Sequence, residues 1–393
     1  MAYTVLARRY RSQSFADVVG QEPVARTLRN AIASGRVAHA YLFSGTRGVG
    51  KTSMARILAR ALNAPATVED APGSHDADLP DLDVQQRTAD AIMRGEDLNV
   101  IEIDGASNNS VDQARELIAS AGLSPTQQAR FKVYIIDEVH MLSTAAFNAL
   151  LKTMEEPPAH VKFILCTTEP HKIPVTIQSR CQRFDFRDIP AAQIREHLSA
   201  VLEKEGVEAD EDAVFQIAAL GDGSMRDALS LLDRVVSSDE GRITTERVAE
   251  LLGLAPRERI GRLIDAASSG DAGGALEEAD AILRGGVGQT QLFEALAEAY
   301  RELMLAAACG AQTELIAVPD AGRAALAERA AKFDAPGLAY CVAVIDAAAR
   351  AARTSPSPRA MLDATLVRLA MADRTADVAA LLAGQKKKGP PGR

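Results

Sequence analysis

AYLFSGTRGVGKTSMARILARALN, residues 40–63, decides the fold of this chain. Within it, Gly45-Thr46-Arg47-Gly48-Val49-Gly50-Lys51-Thr52 has the spacing G-x-x-x-x-G-K-[ST] of a phosphate-binding loop. Glycines let backbone N–H groups converge on phosphate oxygens. Lys51 is placed to reach the β- and γ-phosphates and the Thr52 hydroxyl to ligate Mg²⁺. The loop follows an apolar run, AYLFS, and opens a helical run, KTSMARILARALN, so the phosphates would meet a helix N-terminus. A glycine-rich turn ahead of an ordinary helix is the plain alternative, and only the rest of the chain can argue against it.

Working outward, VIEID (100–104), FKVYIID (131–137) and VKFILCTT (161–168) alternate with helical stretches. That alternation predicts an α/β domain with a parallel sheet, over residues 1–187. From Pro190 the periodicity is helical, in AAQIREHLSAVLEKEG, EDAVFQIAALG and SMRDALSLLDRVV, which predicts a small all-α domain over 188–252. An alanine-rich, helical third domain over 253–383 follows. The basic, Gly- and Pro-containing end, 384–393, has no apolar face and is expected to be a flexible tail.

A nucleotide site also needs an acid at the end of another strand. Val133-Tyr134-Ile135-Ile136-Asp137-Glu138 supplies two, Asp137 to hold Mg²⁺ and Glu138 to polarise an attacking water. Thr168, closing the run VKFILCTT, either hydrogen-bonds the γ-phosphate or the water, or simply ends a strand. Arg226 in Ser224-Met225-Arg226-Asp227 stands in the first turn of a helix, where a cation opposes the helix dipole; an anionic ligand or an ion pair would explain it. Arg180, just past the last expected sheet segment, could project toward a neighbouring subunit, with Arg183 as the nearby alternative.

At 393 residues, 47% hydrophobic and 25% charged, the chain can build two or three cores. Its N-terminus lacks an apolar leader segment, and no uninterrupted apolar run approaches the ~20 residues that span a bilayer, so the expectation is a cytoplasmic protein without a membrane partner. Four cysteines far apart, with no C-x-x-C pair, predict neither disulfides nor a cysteine zinc site. The net charge of −9 seems to oppose nucleic acid. Between Ala64 and Val100, however, nine acidic residues face Arg87 and Arg94, and that −7 leaves only −2 elsewhere. Global acidity therefore does not exclude DNA.

LARRYRSQSFADVVGQEPVARTLRNAI, VIEIDGASNNSVDQARELI, KVYIIDEVHMLSTAAFNALLKTMEEPPAHVKFILCTTEPHKIPVTIQSRCQRFDF and GSMRDALSLLD, together with the phosphate loop, resemble the bacterial DNA polymerase III gamma/tau family. The resemblance is dense from about residue 3 to 236 and weaker beyond. It implies an AAA+ nucleotide-binding domain, then an all-α lid and an all-α collar through which subunits assemble. It further implies an ATP- and Mg²⁺-dependent ATPase that opens a sliding clamp and loads it on primed DNA, with copies of itself and delta and delta-prime subunits. Any DNA-directed DNA polymerase (nucleotidyltransferase) label would belong to the holoenzyme, since no polymerase carboxylate set is evident.

By the same resemblance Lys51, Thr52, Asp137 and Glu138 form the phosphate, Mg²⁺ and water-activating site, Thr168 is the first sensor and Arg226 the second. Arg180 becomes the finger supplied in trans, and Tyr10, Arg11, Val18 and Val19 would lie near adenine. The turn Asn108-Asn109-Ser110, opening a helix toward a central channel, is a candidate DNA contact.

Three departures stand out. Many relatives carry four zinc-binding cysteines between the loop helix and EID-x-AS; residues 61–99 contain none, so an acidic insert over 64–99 replaces the module and no zinc is expected, His75 with Asp76 and Asp78 reading as solvated. Ser12 stands where a proline is usual after the Tyr-Arg pair. At 393 residues the chain is expected to be gamma-like in length, as a short product or as a piece of a longer tau form. Rival readings are another AAA+ machine, such as a branch-migration motor or an archaeal-type clamp loader small subunit, and a stator that does not hydrolyse ATP.

Overall fold

The computed structural model describes residues 3–64, 82–107, 119, 122–126, 129–238, 241–313, 315–316, 318 and 320–371. It divides into two compact units, the first comprising Met1–Val207 with Ile217–Glu240 and the second Glu208–Gln216 with Gly241–Arg393.

In the first unit β1 (Ala40–Ser44), β2 (Val100–Asp104), β3 (Lys132–Asp137), β4 (Val161–Thr167) and β5 (Gln182–Asp185) form one parallel sheet in the order β2-β3-β4-β1-β5. β1, β3 and β4 have near-continuous apolar runs because helices cover both faces. Alternation sends Tyr41 and Phe43 of β1 to one face, with Val133, Ile135 and Ile164. Ala40 and Leu42 turn to the other, with Tyr134, Ile136 and Phe163. The first face receives α2 (Glu22–Ala33) and α3 (Lys51–Asn63), through Leu28, Ile32, Met54, Leu58 and Leu62. α5 (Thr144–Glu155) and α6 (Val175–Gln178) cover the second through Phe147, Leu150, Met154 and Ile177. Each such side chain, fully buried, contributes about 1.5–3 kcal/mol of transfer free energy.

β5 corrects one expectation, because the sheet does not end before Arg180 but continues after it. Its sequence, Gln-Arg-Phe-Asp, carries a single apolar residue and lies at the sheet edge, mostly exposed, so it lacks the apolar signature of a central strand.

Among the described residues α1 (Leu6–Arg9), α4 (Leu82–Arg94), α7 (Ala191–Glu205) and α9 (Met225–Val236) complete the regular helices of this unit, while α8 (Glu211–Leu220) gives residues to both. The N-terminal segment is tied to α9 and α7. Tyr3 Oη and the Leu6 N–H both donate to Asp233 Oδ1, at 2.7 and 3.0 Å, and Arg9 pairs with Glu205 at 2.8 Å.

The second unit is helical: α10 (Thr245–Leu252), α11 (Arg257–Ser268), α12 (Ala272–Arg284), α13 (Gln289–Cys309), α14 (Asp320–Ala330), α15 (Ala335–Thr354) and α16 (Pro358–Ala370). Leu263, Ile264, Leu292, Leu296, Ile345 and Leu366 occupy its core. α15, with 20 residues and a mean hydropathy of 1.2, is long and apolar enough by composition to cross a membrane. In this fold its apolar face, Leu338, Val344, Ile345 and Ala348, is part of that core.

Candidate nucleotide site

The strand order decides which side chains meet. β4 lies between β1, which feeds the phosphate loop, and β3, which ends in Asp137, so three strand C-termini point at one place. Register fixes the alignment, Ser44 opposite Thr167 and Ile136 opposite Leu165. The loop leaves β1 with positive φ at Gly45 (150°), Gly48 (80°) and Gly50 (100°), and Gly50 is the N-cap of α3. Gly48 is also constrained by contact, since a Cβ there would lie 1.8 Å from Ser224 Oγ.

Lys51 is buried, 6% exposed, and its ammonium donates to the carbonyls of Gly45 and Thr46 at 2.9 and 2.6 Å. Burial pushes its pKa down, against the opposing pull of Cys166, Glu138 and Asp137. Thr52 Oγ1 donates to Asp137 Oδ2 at 2.7 Å, and Thr168 Oγ1 donates to Glu138 Oε2 at 3.1 Å. Thr168 stands one residue beyond β4, which ends at Thr167. Glu138 itself adopts a left-handed conformation, φ 45°. Gly105 lets the end of β2 pass beside it: a Cβ there would lie 2.6 Å from the Glu138 carbonyl oxygen.

On the lid side Ser224 caps α9, accepting the Asp227 N–H at 3.2 Å, and the Arg226 N–H donates to the Gly48 carbonyl at 3.4 Å. Arg226, exposed, thus begins next to the phosphate loop. Thr46 donates to Asp188 Oδ1 at 2.5 Å, Val49 is buried in the sheet core, and Arg47 is exposed at the loop's tip. Arg11 joins this group, its Nε donating to Ser53 Oγ at 2.9 Å. Burial, then the nearby Arg56, push its guanidinium down to about 10, with Arg226 adding to the fall and Glu102 and Asp137 opposing it.

Not every expected site residue converges there. Tyr10 hydrogen-bonds Glu205 through its hydroxyl, which pushes the phenol up, and Arg9 and Lys204 flank its ring. Val18 packs on the edge of the sheet core, and Val19 is half-buried. Arg180 is held by Glu155 at 2.6 Å and by the Thr176 carbonyl at 2.7 Å, and Arg183 by Asp185 at 2.8 Å. Asn108, Asn109 and Ser110, and the segment with His75, Asp76 and Asp78, lie outside the described residues. Among the described residues no group of three or more His, Cys, Asp or Glu side chains could hold a metal ion.

Two features escaped sequence reasoning. Arg56 forms a two-bond ion pair with Glu102 of β2, at 2.6 and 2.8 Å, and also reaches the Met93 carbonyl at 2.7 Å. His140, inside the DEVHML motif, lies 3.0 Å from Thr167 Oγ1, 3.0 Å from Glu169 Oε2 and 3.4 Å from Glu138 Oε2. Its signal was a lone histidine two residues after a carboxylate pair, which fixes no partner.

Glycine-shaped backbone at a helix N-terminus, a buried lysine, and a hydroxyl beside a carboxylate suit a polyphosphate with a divalent cation. Hard oxygen donors at Thr52 and Asp137 fit Mg²⁺, which takes one or two protein ligands and completes its shell with phosphate and water.

Three family models match the chain: one described as DNA polymerase III, delta subunit, over residues 20–190; one as DNA polymerase III clamp loader subunit, ATPase lid domain, over 193–241; and one as DNA polymerase III subunits gamma and tau domain III, over 243–383. The DNA polymerase III subunit tau of Salmonella typhimurium is 46% identical over 267 residues, 68% of this chain but 40% of that protein. The chain therefore spans well under two thirds of this relative's length. The DNA polymerase III subunit gamma of Buchnera aphidicola is 44% identical over 266 residues, 68% of this chain and 71% of that protein. Among solved structures the chain is similar to the RuvB Holliday junction branch migration motor of Thermotoga maritima, at 19% identity and a TM-score of 0.46, over 65% of this chain and 78% of that one.

Proposed function

The chain belongs to the DNA polymerase III gamma/tau family, and from that premise we propose that it is an ATP-driven clamp-loader subunit. It binds and hydrolyses ATP to open a ring-shaped sliding clamp and leave it closed around primed DNA. The single observation that carries the reading is the meeting of Lys51, Thr52, Asp137, Glu138 and Thr168 at the ends of three adjacent strands.

Each residue has a task that follows from its chemistry. The N–H groups of residues 45–52 and the Lys51 ammonium hold the phosphates and neutralise charge on the transferring group. Thr52 and Asp137 would hold Mg²⁺, which when bound would withdraw charge from the phosphates. Glu138 accepts a hydrogen bond from the attacking water and sets its line of approach, while Thr168 fixes the carboxylate. Arg226, starting beside Gly48, lets the lid sense the phosphates, and Arg11 beside Ser53 adds a second cation on that side.

Arg180 acts in trans. Its pairing with Glu155 leaves it a third exposed at the surface, where a neighbouring subunit's nucleotide can compete for it. The partners are copies of this chain, delta and delta-prime subunits, the sliding clamp and primed DNA, with Asn108, Asn109 and Ser110 at the DNA. The working division is a nucleotide-binding domain over 1–187, a lid over 188–252 and a collar over 253–383, in the cytoplasm and without structural zinc. Matches to a lid domain over 193–241 and to domain III over 243–383 support the order of the last two domains.

The test is clamp deposition. Assembled with delta and delta-prime subunits, the chain should leave a labelled clamp on nicked or primed circular DNA in the presence of Mg·ATP, and the Lys51→Ala variant should not. Equal retention without ATP would refute the reading.

A further inference from the structure

We propose that His140 is a positioning residue for Glu138; the proposal rests on the ATPase reading above, in which Glu138 directs the attacking water. Glu138 needs such support. A left-handed backbone is strained at a non-glycine residue, and φ at Glu138 is 45°. The turn that carries it, Val139–Met141, is closed by the Met141 N–H to the Glu138 carbonyl at 2.9 Å and anchored by the fully buried Val139. None of that fixes the carboxylate.

His140 is the side chain that ties this turn to β4. Its side chain is 7% exposed and has polar partners at both nitrogens. Thr167 Oγ1 accepts the Glu169 N–H at 3.0 Å, so its own hydrogen is available to His140 Nδ1, also at 3.0 Å. Nε2 faces Glu169 Oε2 at 3.0 Å, and Lys172 holds the same carboxylate at 2.7 Å.

The consequence for Glu138 is positional. His140 Nδ1, held by Thr167 at 3.0 Å, also faces Glu138 Oε2 at 3.4 Å. That polar atom, fixed from β4, limits where the carboxylate can go. The carboxylate cannot fold back over its own turn and rests instead on the hydroxyl of Thr168, 3.1 Å away. Thr167 and Thr168, consecutive residues, thus hold Glu138 from two sides, one through the imidazole and one directly.

The experiment is steady-state ATP hydrolysis by the assembly with clamp and primed DNA, beside binding of a fluorescent ATP analogue. Glu138→Gln serves as the control for the underlying reading. His140→Ala should lower kcat about tenfold to a hundredfold, as expected for a reacting group misplaced by an ångström, with KM and analogue affinity unchanged. His140→Asn, whose amide reaches the Nδ1 position, should recover most of the loss.

Wild-type kcat in His140→Ala would overturn the proposal. So would equal losses in the Ala and Asn variants, because only ring volume would then matter. If His140→Ala does not fold, Thr167→Val decides: a fall in kcat at constant KM supports the proposal, and unchanged kcat refutes it. A wild-type assembly that hydrolyses no ATP, or a Glu138→Gln variant as fast as wild type, would refute the underlying reading itself, whatever the His140 variants do.

Discussion

Thr52 and Asp137, 85 positions apart in sequence, share a hydrogen bond of 2.7 Å between the hydroxyl that opens α3 and the carboxylate that closes β3. The contact joins the two halves of the candidate site across β4. In the proposed reading it marks where a divalent cation would have its protein ligands.

Removing either half should therefore act through the metal. Asp137→Asn is expected to keep nucleotide affinity while lowering kcat by about a hundredfold or more. Thr52→Val should bind Mg·ATP more weakly by about 1.5–3 kcal/mol, the range for a hydrogen bond to a charged group, yet bind metal-free ATP as wild type does. Steady-state ATP hydrolysis checks the first, and calorimetric titration with and without Mg²⁺ checks the affinities.

The glycines of the loop differ in what holds them. Gly48 combines φ 80° with a Cβ position 1.8 Å from Ser224 Oγ, whereas Gly50, at φ 100°, has nothing within 4 Å of its Cβ position. Gly48→Ala should lose about 1–3 kcal/mol and separate the loop from Ser224. Gly50→Ala should cost only the backbone strain, about 1 kcal/mol. Paired thermal melts in which Gly50→Ala is the worse of the two would contradict this packing.

Thiol chemistry gives a simple surface check. Cys309 is exposed, Cys166 and Cys341 are buried, and burial pushes the Cys181 thiol up to about 12. At mildly alkaline pH an aromatic disulfide reagent should show one fast phase, from Cys309, because the thiolate is the reacting form. A fast phase that survives Cys309→Ser would place another thiol at the surface.

In the second unit Asp265 of α11 accepts two bonds from Arg329 of α14, at 3.1 and 2.9 Å, and these hold its carboxyl below the usual 3.8. A depressed carboxylate stabilises the fold above its unfolded pKa, and that contribution is lost as pH falls through the folded value. Asp265→Asn should cost under about 1 kcal/mol at neutral pH, since the pair is partly exposed, and nothing in strong acid. Urea melts at the two pH extremes measure the difference.

Sequence reading reached the central strands because burial on both faces forces apolar runs, as in KVYIID and VKFILCT. Lys51 and Thr52 were legible because phosphate binding needs their types at one spacing, and Asp137 because it ends such a run. β5 was not, since an edge strand of four residues with one phenylalanine has no such constraint. Nor was the Tyr10–Glu205 contact, which spans 195 positions. Arg11, expected near adenine, has its guanidinium against Ser53 on α3, and only the three-dimensional course of residues 3–11 determines that. His140 illustrates the same limit: its partners come from another strand.

The most direct measurement of the central claim is the ATP hydrolysis rate of this chain with delta and delta-prime subunits, with and without clamp plus primed DNA, beside an Arg180→Ala assembly. The account predicts strong stimulation by clamp and primer, lost by about a thousandfold or more when the trans arginine is removed. Turnover indifferent to clamp, to DNA and to Arg180 would leave a nucleotide site standing but contradict a clamp loader.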